Sequence, residues 1–375
     1  MYRKFLIFSL AIAFIAVGVF SFGSLFNKSG GEGMSVSNPT VIVSNPNLPS
    51  SSVESPTPSE LILKIPSQNK VLNNNYHIFQ TFNNCGPASL SMALSYYEIN
   101  ESQQKIGNDL RPYQVAGGDN DDKSVTLYEL AERSKEYGLV PYHRPNGNID
   151  LIKMFVTYDM PVVARTWLKE NDDIGHYRII KGYDSSQIIQ DDSLQGKNLK
   201  YSLSEFNAIW KKFNYEYLVL VPKGKENIAE KILGEDSNEK VAWENAVKDA
   251  ESELSINSND VYARFNLSVA LYNIGEYRKS VEEFEKVENE LPFRTLWYQI
   301  EPIQAYFELG EYERVFSITD KILNNHNRAF SELYIIRGDI YLKQNRENLA
   351  RREYEKAVLY NKNNKEAREK LESII

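Results

Sequence analysis

The last third of the chain repeats itself at an interval of about 35 residues, and this periodicity constrains the fold more than any other feature of the sequence. The turn segment Ile-Gly-Glu-Tyr at 274–277 recurs as Leu-Gly-Glu-Tyr at 309–312, and a third copy has Asn345 in place of the glycine. Because one such unit cannot bury its own apolar face, neighbouring copies must stack on each other. The sequence therefore predicts an all-α solenoid over residues 239–375.

Small and large apolar residues occupy the places in these copies where paired helices interlock. The first copy carries Leu267, Ser268, Leu271, Ser280, Phe284, Val287 and Pro292, and the third carries Gly338, Tyr341, Ala350, Tyr354 and Ala357. The second copy departs most, with Ile303, Val315 and Thr319. The pattern resembles the tetratricopeptide repeat, whose period is about 34 residues. The resemblance implies about three repeats over 260–362, flanked by helices near Trp243 and at 365–374, and a groove that binds a protein partner.

The N-terminus contains a membrane signal. After Arg3 and Lys4, residues 5–26 carry no charge, which is close to the ~20 residues that cross a bilayer. The length of this run and the lack of a small-residue cleavage site favour a transmembrane signal anchor over a cleaved signal peptide. We therefore expect a single-pass protein in the cell membrane, with its folded domains extracytoplasmic, or a secreted protein if the segment is cut. Residues 27–59, rich in Ser, Asn, Pro and Gly, are predicted to be a disordered linker.

Residues 60–223 mix helix and strand signals. Cys85 precedes a proline and an apolar run with helical recurrence, which places it at a helix N-terminus. A capping box opens a second helix at Thr126, and Gly138 can close it. Apolar and aromatic enrichment predicts strands at 160–167, 176–183, 187–190 and 217–221. The order of these elements indicates an α+β domain with helices first and antiparallel strands later.

Cys85 is the single cysteine, so the chain has no intramolecular disulfide, and its position suits a reactive thiol. A helix N-terminus and a nearby imidazolium both lower the pKa of a thiol. Among the four histidines, His176 is the best candidate base, because a predicted strand would hold it rigidly after Gly175. Asp192 or Asp191 could fix its tautomer, but only one of them can face it on an alternating strand.

The ordered blocks around these residues resemble a known enzyme family. They are Gln80, Asn-Cys-Gly-Pro at 84–87, His-Tyr at 176–177, Gly-Tyr-Asp at 182–184 and Asp-Ser at 192–193. The pattern is similar to that of the bacteriocin-processing, double-glycine-leader peptidases, which are papain-like cysteine peptidases, and more closely to their stand-alone relatives without a transporter. Ser193 stands where proline is commoner. Gln80 precedes the cysteine by five residues, where leader peptidases usually have six.

The resemblance implies a papain-like domain in which four residues act together. Cys85 would be the nucleophile, His176 the base and Asp192 the residue that orients it. Gln80 would donate its side-chain amide to the oxyanion together with the Cys85 backbone N–H. The expected reaction is hydrolysis of a peptide or protein substrate through a thioester, and it requires no cofactor or metal.

Two other hypotheses for the function of this domain stay open. One is a non-catalytic scaffold that holds peptides, and the other is a cell-wall peptide hydrolase or acyltransferase on the same fold. Nucleic acid is not expected as a partner, because 51 acidic residues outnumber 43 basic ones and give a net charge of -8. The acidic stretch at 119–122 lacks the glycine and the final acid of an EF-hand loop, so a solvated loop is predicted there.

Overall fold

The computed structural model describes residues 61–325 and 327–374. The predicted anchor at 5–26 and the predicted linker at 27–59 lie outside these ranges. Among the described residues, no helix combines the length and apolar character that crossing a membrane requires.

The first folded part is built on a seven-stranded sheet in which every neighbouring pair is antiparallel. The strands follow the order β2-β7-β3-β4-β5-β6, and β1 pairs with β4. Their bounds are β1 Lys70–Val71, β2 Leu139–Arg144, β3 Val162–Trp167, β4 Gly175–Tyr183, β5 Gln187–Asp192, β6 Gly196–Ser202 and β7 Tyr217–Pro222. The four strands expected from the sequence are present. The other three were not predicted because β1 is two residues long and the edge strands β2 and β6 carry polar residues.

Helices cover both faces of this sheet. Their bounds are α1 Cys85–Ser95, α2 Gln103–Leu110, α3 Leu127–Lys135, α4 Ile149–Thr157, α5 Leu203–Trp210 and α6 Glu226–Leu233. Adjacent residues of the central strands point to opposite faces, so Val163 packs with α1 to α3 while Val162 packs with α4 to α6. The predicted capping box is formed, with Thr126 and Glu129 bonded reciprocally at the start of α3. This mixed α/β fold places α1 against β3 and β4.

The second part is helical, as the periodicity predicts. Its helices are α7 Glu239–Ile256, α8 Val261–Asn273, α9 Tyr277–Glu285, α10 Thr295–Tyr298, α11 Glu301–Glu308, α12 Tyr312–Leu323, α13 Ser331–Leu342, α14 Glu347–Tyr360 and α15 Lys365–Glu372. Three pairs of contacting helices, α8–α9, α11–α12 and α13–α14, lie at the positions of the three predicted repeats. In the third pair, a Cβ at Gly338 would lie 2.3 Å from the ring of Tyr354, so only glycine permits this approach.

An aromatic seam joins the helical array to the sheet. The Trp167 ring lies 4.9 Å from Phe213 and 5.5 Å from Tyr298 of α10, measured between centroids. The Trp167 indole N–H also donates to the hydroxyl of Tyr262 on α8. Trp167 and Phe213 belong to the same buried cluster as the apolar residues of the repeats. The sheet and the array therefore share one core.

The acidic stretch at 119–122 is a second junction, and the expectation of a solvated loop is wrong. Asp121 is 2% exposed and pairs with Lys123 and Arg111. Both cations also bind Glu332 of α13, at 3.2 Å and 2.6 Å. Burial raises the pKa of Asp121 to about 6. Glu332 lies 221 residues from Arg111 along the chain, so no local sequence pattern could reveal its role.

The shared core generates a stability prediction. Phe213→Ala should lower the free energy of unfolding by about 3–5 kcal/mol, because it empties a fully buried site in the seam. In urea, the sheet and the array should unfold in one transition followed by fluorescence and circular dichroism. Phe293→Ala is the matched control, since Phe293 is 62% exposed and should cost at most about 1 kcal/mol. Two separate transitions in the unsubstituted protein would contradict the shared core.

Candidate active site

Cys85 is the first residue of α1 and lies against the sheet. A Cβ on the next residue, Gly86, would approach Val125 to 2.2 Å and Tyr177 to 3.3 Å, so glycine lets the helix start close to β4. The thiol is 6% exposed. Burial raises the pKa of Cys85 to about 12, although hydrogen bonds from the backbone amides of Gly86 and Cys85 lower it. The expected lowering by the helix N-terminus is present, but desolvation outweighs it.

His176 and Asp192 meet on paired strands. Nε2 of His176 lies 2.9 Å from Oδ1 of Asp192, and both side chains are buried. Asp191 points the other way, where its carboxylate binds Lys181 at 2.7 Å. Strand alternation therefore selects Asp192 as the partner of His176. Since Nε2 faces the carboxylate, Nδ1 is the ring nitrogen that remains for proton exchange with a thiol.

The Asp192 carboxylate is held by several donors. Oδ1 also accepts from the backbone N–H of Leu194 at 2.7 Å and of Gln195 at 2.9 Å, and Oδ2 accepts from Arg178 at 2.6 Å. Burial acts to raise the pKa of Asp192, but the hydrogen bond and charge of His176 and the charge of Arg178 lower it to about 2. The carboxylate is therefore ionised at any physiological pH. Its charge reaches Cys85, where it raises the pKa of the thiol.

Gln80 is fixed by Ser193. Its Oε1 accepts from the Ser193 hydroxyl at 2.9 Å, and its backbone N–H donates to the Ser193 carbonyl at 2.7 Å. Holding the carbonyl end of the amide leaves the NH₂ end as the donor. Proline at position 193 would lack this hydroxyl, so the serine takes a role that the commoner residue cannot. Beside it, His77 contacts the backbone oxygen of Asp192 at 2.9 Å.

Two further residues near the site were missed by the sequence analysis. Arg178 could have been noticed as one of two cations, with Lys181, in a strand that is rich in apolar residues. Tyr298 of α10 could not have been found from the sequence, because it belongs to the helical array and no local motif links it to the strands of the site. A Cβ at Gly175 would be 2.8 Å from its ring, so the array presses on the residue before His176. The backbone oxygen of Tyr298 accepts from Arg165 at 2.6 Å, and the positive charge of Arg165 lowers the pKa of Cys85.

Comparisons with known proteins place this geometry in context. Residues 62–218 match the Peptidase_C39 like family, and residues 331–364 match the tetratricopeptide repeat. No curated protein matches the chain.

Several solved structures are similar. A putative C39-like peptidase from Bacillus anthracis is 18% identical, with a TM-score of 0.34, over 42% of this chain and 99% of that one. The peptidase domain of Streptococcus ComA, a bi-functional ABC transporter involved in quorum sensing, is 19% identical, with a TM-score of 0.32, over 39% of this chain and 97% of that one. A double glycine motif protease from an AMS/PCAT transporter, solved with the leader peptide, is 19% identical, with a TM-score of 0.31, over 40% and 91%. The two family matches, over residues 62–218 and 331–364, confirm the resemblance to C39-like peptidases and to tetratricopeptide repeats that the sequence motifs indicate.

Proposed function

We propose that this chain is an extracytoplasmic, membrane-tethered cysteine peptidase that hydrolyses peptide bonds through Cys85, His176 and Asp192. The observation that carries the proposal is the buried 2.9 Å contact between His176 and Asp192. An ionised carboxylate fixed on an imidazole is the arrangement that stabilises an imidazolium. A thiol whose pKa burial raises to about 12 needs such a partner to lose its proton near neutral pH.

The chemistry follows from these positions. His176 takes the thiol proton at Nδ1 while Asp192 stabilises the charged ring, and the thiolate attacks the peptide carbonyl. The Cys85 backbone N–H and the Gln80 amide donate to the oxyanion of the tetrahedral intermediate. His176 returns the proton to the leaving amine as the C–N bond breaks and a thioester forms. Water, deprotonated by His176, then cleaves the thioester and restores the thiol.

The helical array would recruit a protein partner or the substrate itself. A groove of about 970 Å³ lies between α12, α13 and α14. Its lining combines aromatic residues, Phe316 and Tyr341, with both signs of charge, as in Arg352 and Glu355. Such a surface suits an extended polypeptide that offers apolar and charged side chains.

A second candidate function is a peptide-binding scaffold without catalysis. The observation that favours it is the burial of Cys85, which holds the isolated thiol in its neutral form. The two candidates differ in whether His176 can take the proton from that thiol.

Catalysis is tested by removing the nucleophile and the base. Cys85→Ala and His176→Ala should each reduce kcat/KM for peptide hydrolysis by at least about 10³-fold, because each removes one partner of a unit that works together. Substrates are first identified by comparing surface and secreted peptides of cells that carry the wild-type protein or Cys85→Ala. His143→Ala is the control, since it removes another histidine of the same sheet and should retain activity. Full activity of His176→Ala would contradict its role as the base, and the absence of any peptide difference between wild-type and Cys85→Ala cells would favour the scaffold.

The oxyanion role of Gln80 makes a separate prediction. Gln80→Ala should lower kcat by about 10²–10³-fold with little change in KM, because it removes a donor used in the transition state. Ser193→Ala should lower kcat less, since it loosens the amide without removing it. Gln104→Ala, at an exposed position on α2, is the matched control. If Gln80→Ala lowered kcat/KM only by raising KM, with kcat unchanged, Gln80 would be assigned to substrate binding instead.

The tether predicts where the protein resides. With residues 5–26 spanning the membrane, the full-length protein should sediment with membranes and be digested when protease is added to intact cells. Deletion of residues 1–26 should release it from the membrane fraction and protect it within the cytoplasm. Protection of the full-length protein from external protease would contradict the extracytoplasmic placement.

A further inference from the structure

Arg178 lies at the centre of the site and has no role in the chemistry described so far. It follows His176 by two residues on β4 and pairs directly with Asp192 in the register of β4 and β5. Its side chain is fully buried. A guanidinium in such a place carries a full charge, so its only compensation is what it contacts.

Every hydrogen bond of this guanidinium helps to aim it at Asp192. One terminal nitrogen donates to Asp192 Oδ2 at 2.6 Å and to Gln195 Oε1 at 3.3 Å. The Nε atom donates to Thr166 Oγ1 at 3.0 Å, and the other terminal nitrogen donates to the Leu168 carbonyl at 2.7 Å. The ring of Tyr201 lies 5.1 Å from the guanidinium carbon. The cation is therefore fixed on the carboxylate oxygen that His176 does not use.

This pair changes the charge of the reacting site. A thiolate, an imidazolium and a carboxylate together carry one net negative charge, and the three residues that hold these groups are buried. Arg178 brings the sum to zero. Because the Asp192 charge raises the pKa of the Cys85 thiol, a cation that offsets Asp192 makes the thiolate easier to form.

The other ionisable groups around the site come from several elements. They are His77, Asp122, Arg165, Tyr177, Glu216 and Tyr298. The hydrogen bonds of the Arg178 guanidinium go to other residues, so its substitution removes no hydrogen bond from these groups.

We infer that Arg178 is a positioning residue that neutralises Asp192, so that the carboxylate orients His176 by hydrogen bonding without adding net negative charge beside Cys85. The inference rests on the proposed peptidase chemistry. It assigns Arg178 no contact with substrate.

A comparison within the same two strands separates this role from ordinary ion pairing. Lys181 and Asp191 form another buried pair at 2.7 Å, on the same strands β4 and β5. This pair does not include His176 or Asp192. Lys181→Gln therefore removes a buried cation of the same sheet without uncovering the Asp192 charge, and serves as the matched control.

The experiment measures the rate at which iodoacetamide alkylates Cys85 as a function of pH. Cys85 is the only thiol of the chain, so the rate reports its thiolate alone. In Arg178→Gln, the pH at which alkylation begins should rise by about one unit, because Asp192 is left uncompensated. In Arg178→Lys, which keeps the positive charge, alkylation should begin within about half a pH unit of the wild-type value. In Lys181→Gln, alkylation should begin at the wild-type pH.

Arg178→Met keeps the test decisive if Arg178→Gln does not fold, because its flexible, unbranched side chain can fill the buried site without adding a polar group. It also removes the positive charge, so alkylation should begin about one pH unit above the wild-type value. A shift of one unit or more in Arg178→Lys, or no shift in a folded Arg178→Gln or Arg178→Met, would overturn the inference. A wild-type thiol that reacts only at strongly alkaline pH would instead contradict the proposed peptidase, so the two failures are distinguishable.

Discussion

The contact between His176 and Asp192 is the interaction on which the proposed chemistry depends, and most of the first domain serves to build it. Pairing of β4 with β5 brings the two residues together, and strand alternation sends Asp191 to Lys181 on the other side. The sheet is covered on both faces by helices, so the pair is shielded from water. In that environment, the electrostatic interactions of the pair are stronger than they would be at the surface.

Burial acts to raise the pKa of both acids of the site, but the net result differs between them. It raises the pKa of Cys85 to about 12, because few donors compensate the thiolate. It fails to do so for Asp192, because His176, Arg178 and two backbone amides favour the ionised form and hold the pKa at about 2. The proposed mechanism thus combines a permanent carboxylate with a thiol that ionises only when its proton is accepted. In that mechanism, proton transfer to His176 is the step that the surrounding structure must favour.

The parts of the fold that sequence predicted are those in which local pattern and tertiary structure agree. The start of α1 at Cys85, the capping box at Thr126, the buried strands and the helix pairs all follow from residue type and spacing. The edge strands β2 and β6 carry polar residues and lack regular apolar alternation, so the sequence did not predict them. The contacts of Arg178, Tyr298 and Glu332 depend on residues brought together by folding, and in the last two cases from different halves of the chain. A short acidic run is likewise predicted to be solvated when Glu332, which shares its cations Arg111 and Lys123, lies in the other half of the chain.

The central claim is that His176, supported by Asp192, lets a buried thiol ionise near neutral pH. Ultraviolet absorbance of the thiolate, followed during a pH titration of the wild-type protein, measures this directly, since the chain has one cysteine. The account predicts that the thiolate forms at or below the ~8.5 of a free cysteine. A thiol that stays protonated until the pH approaches about 12, the pKa that results mainly from its burial, would contradict it.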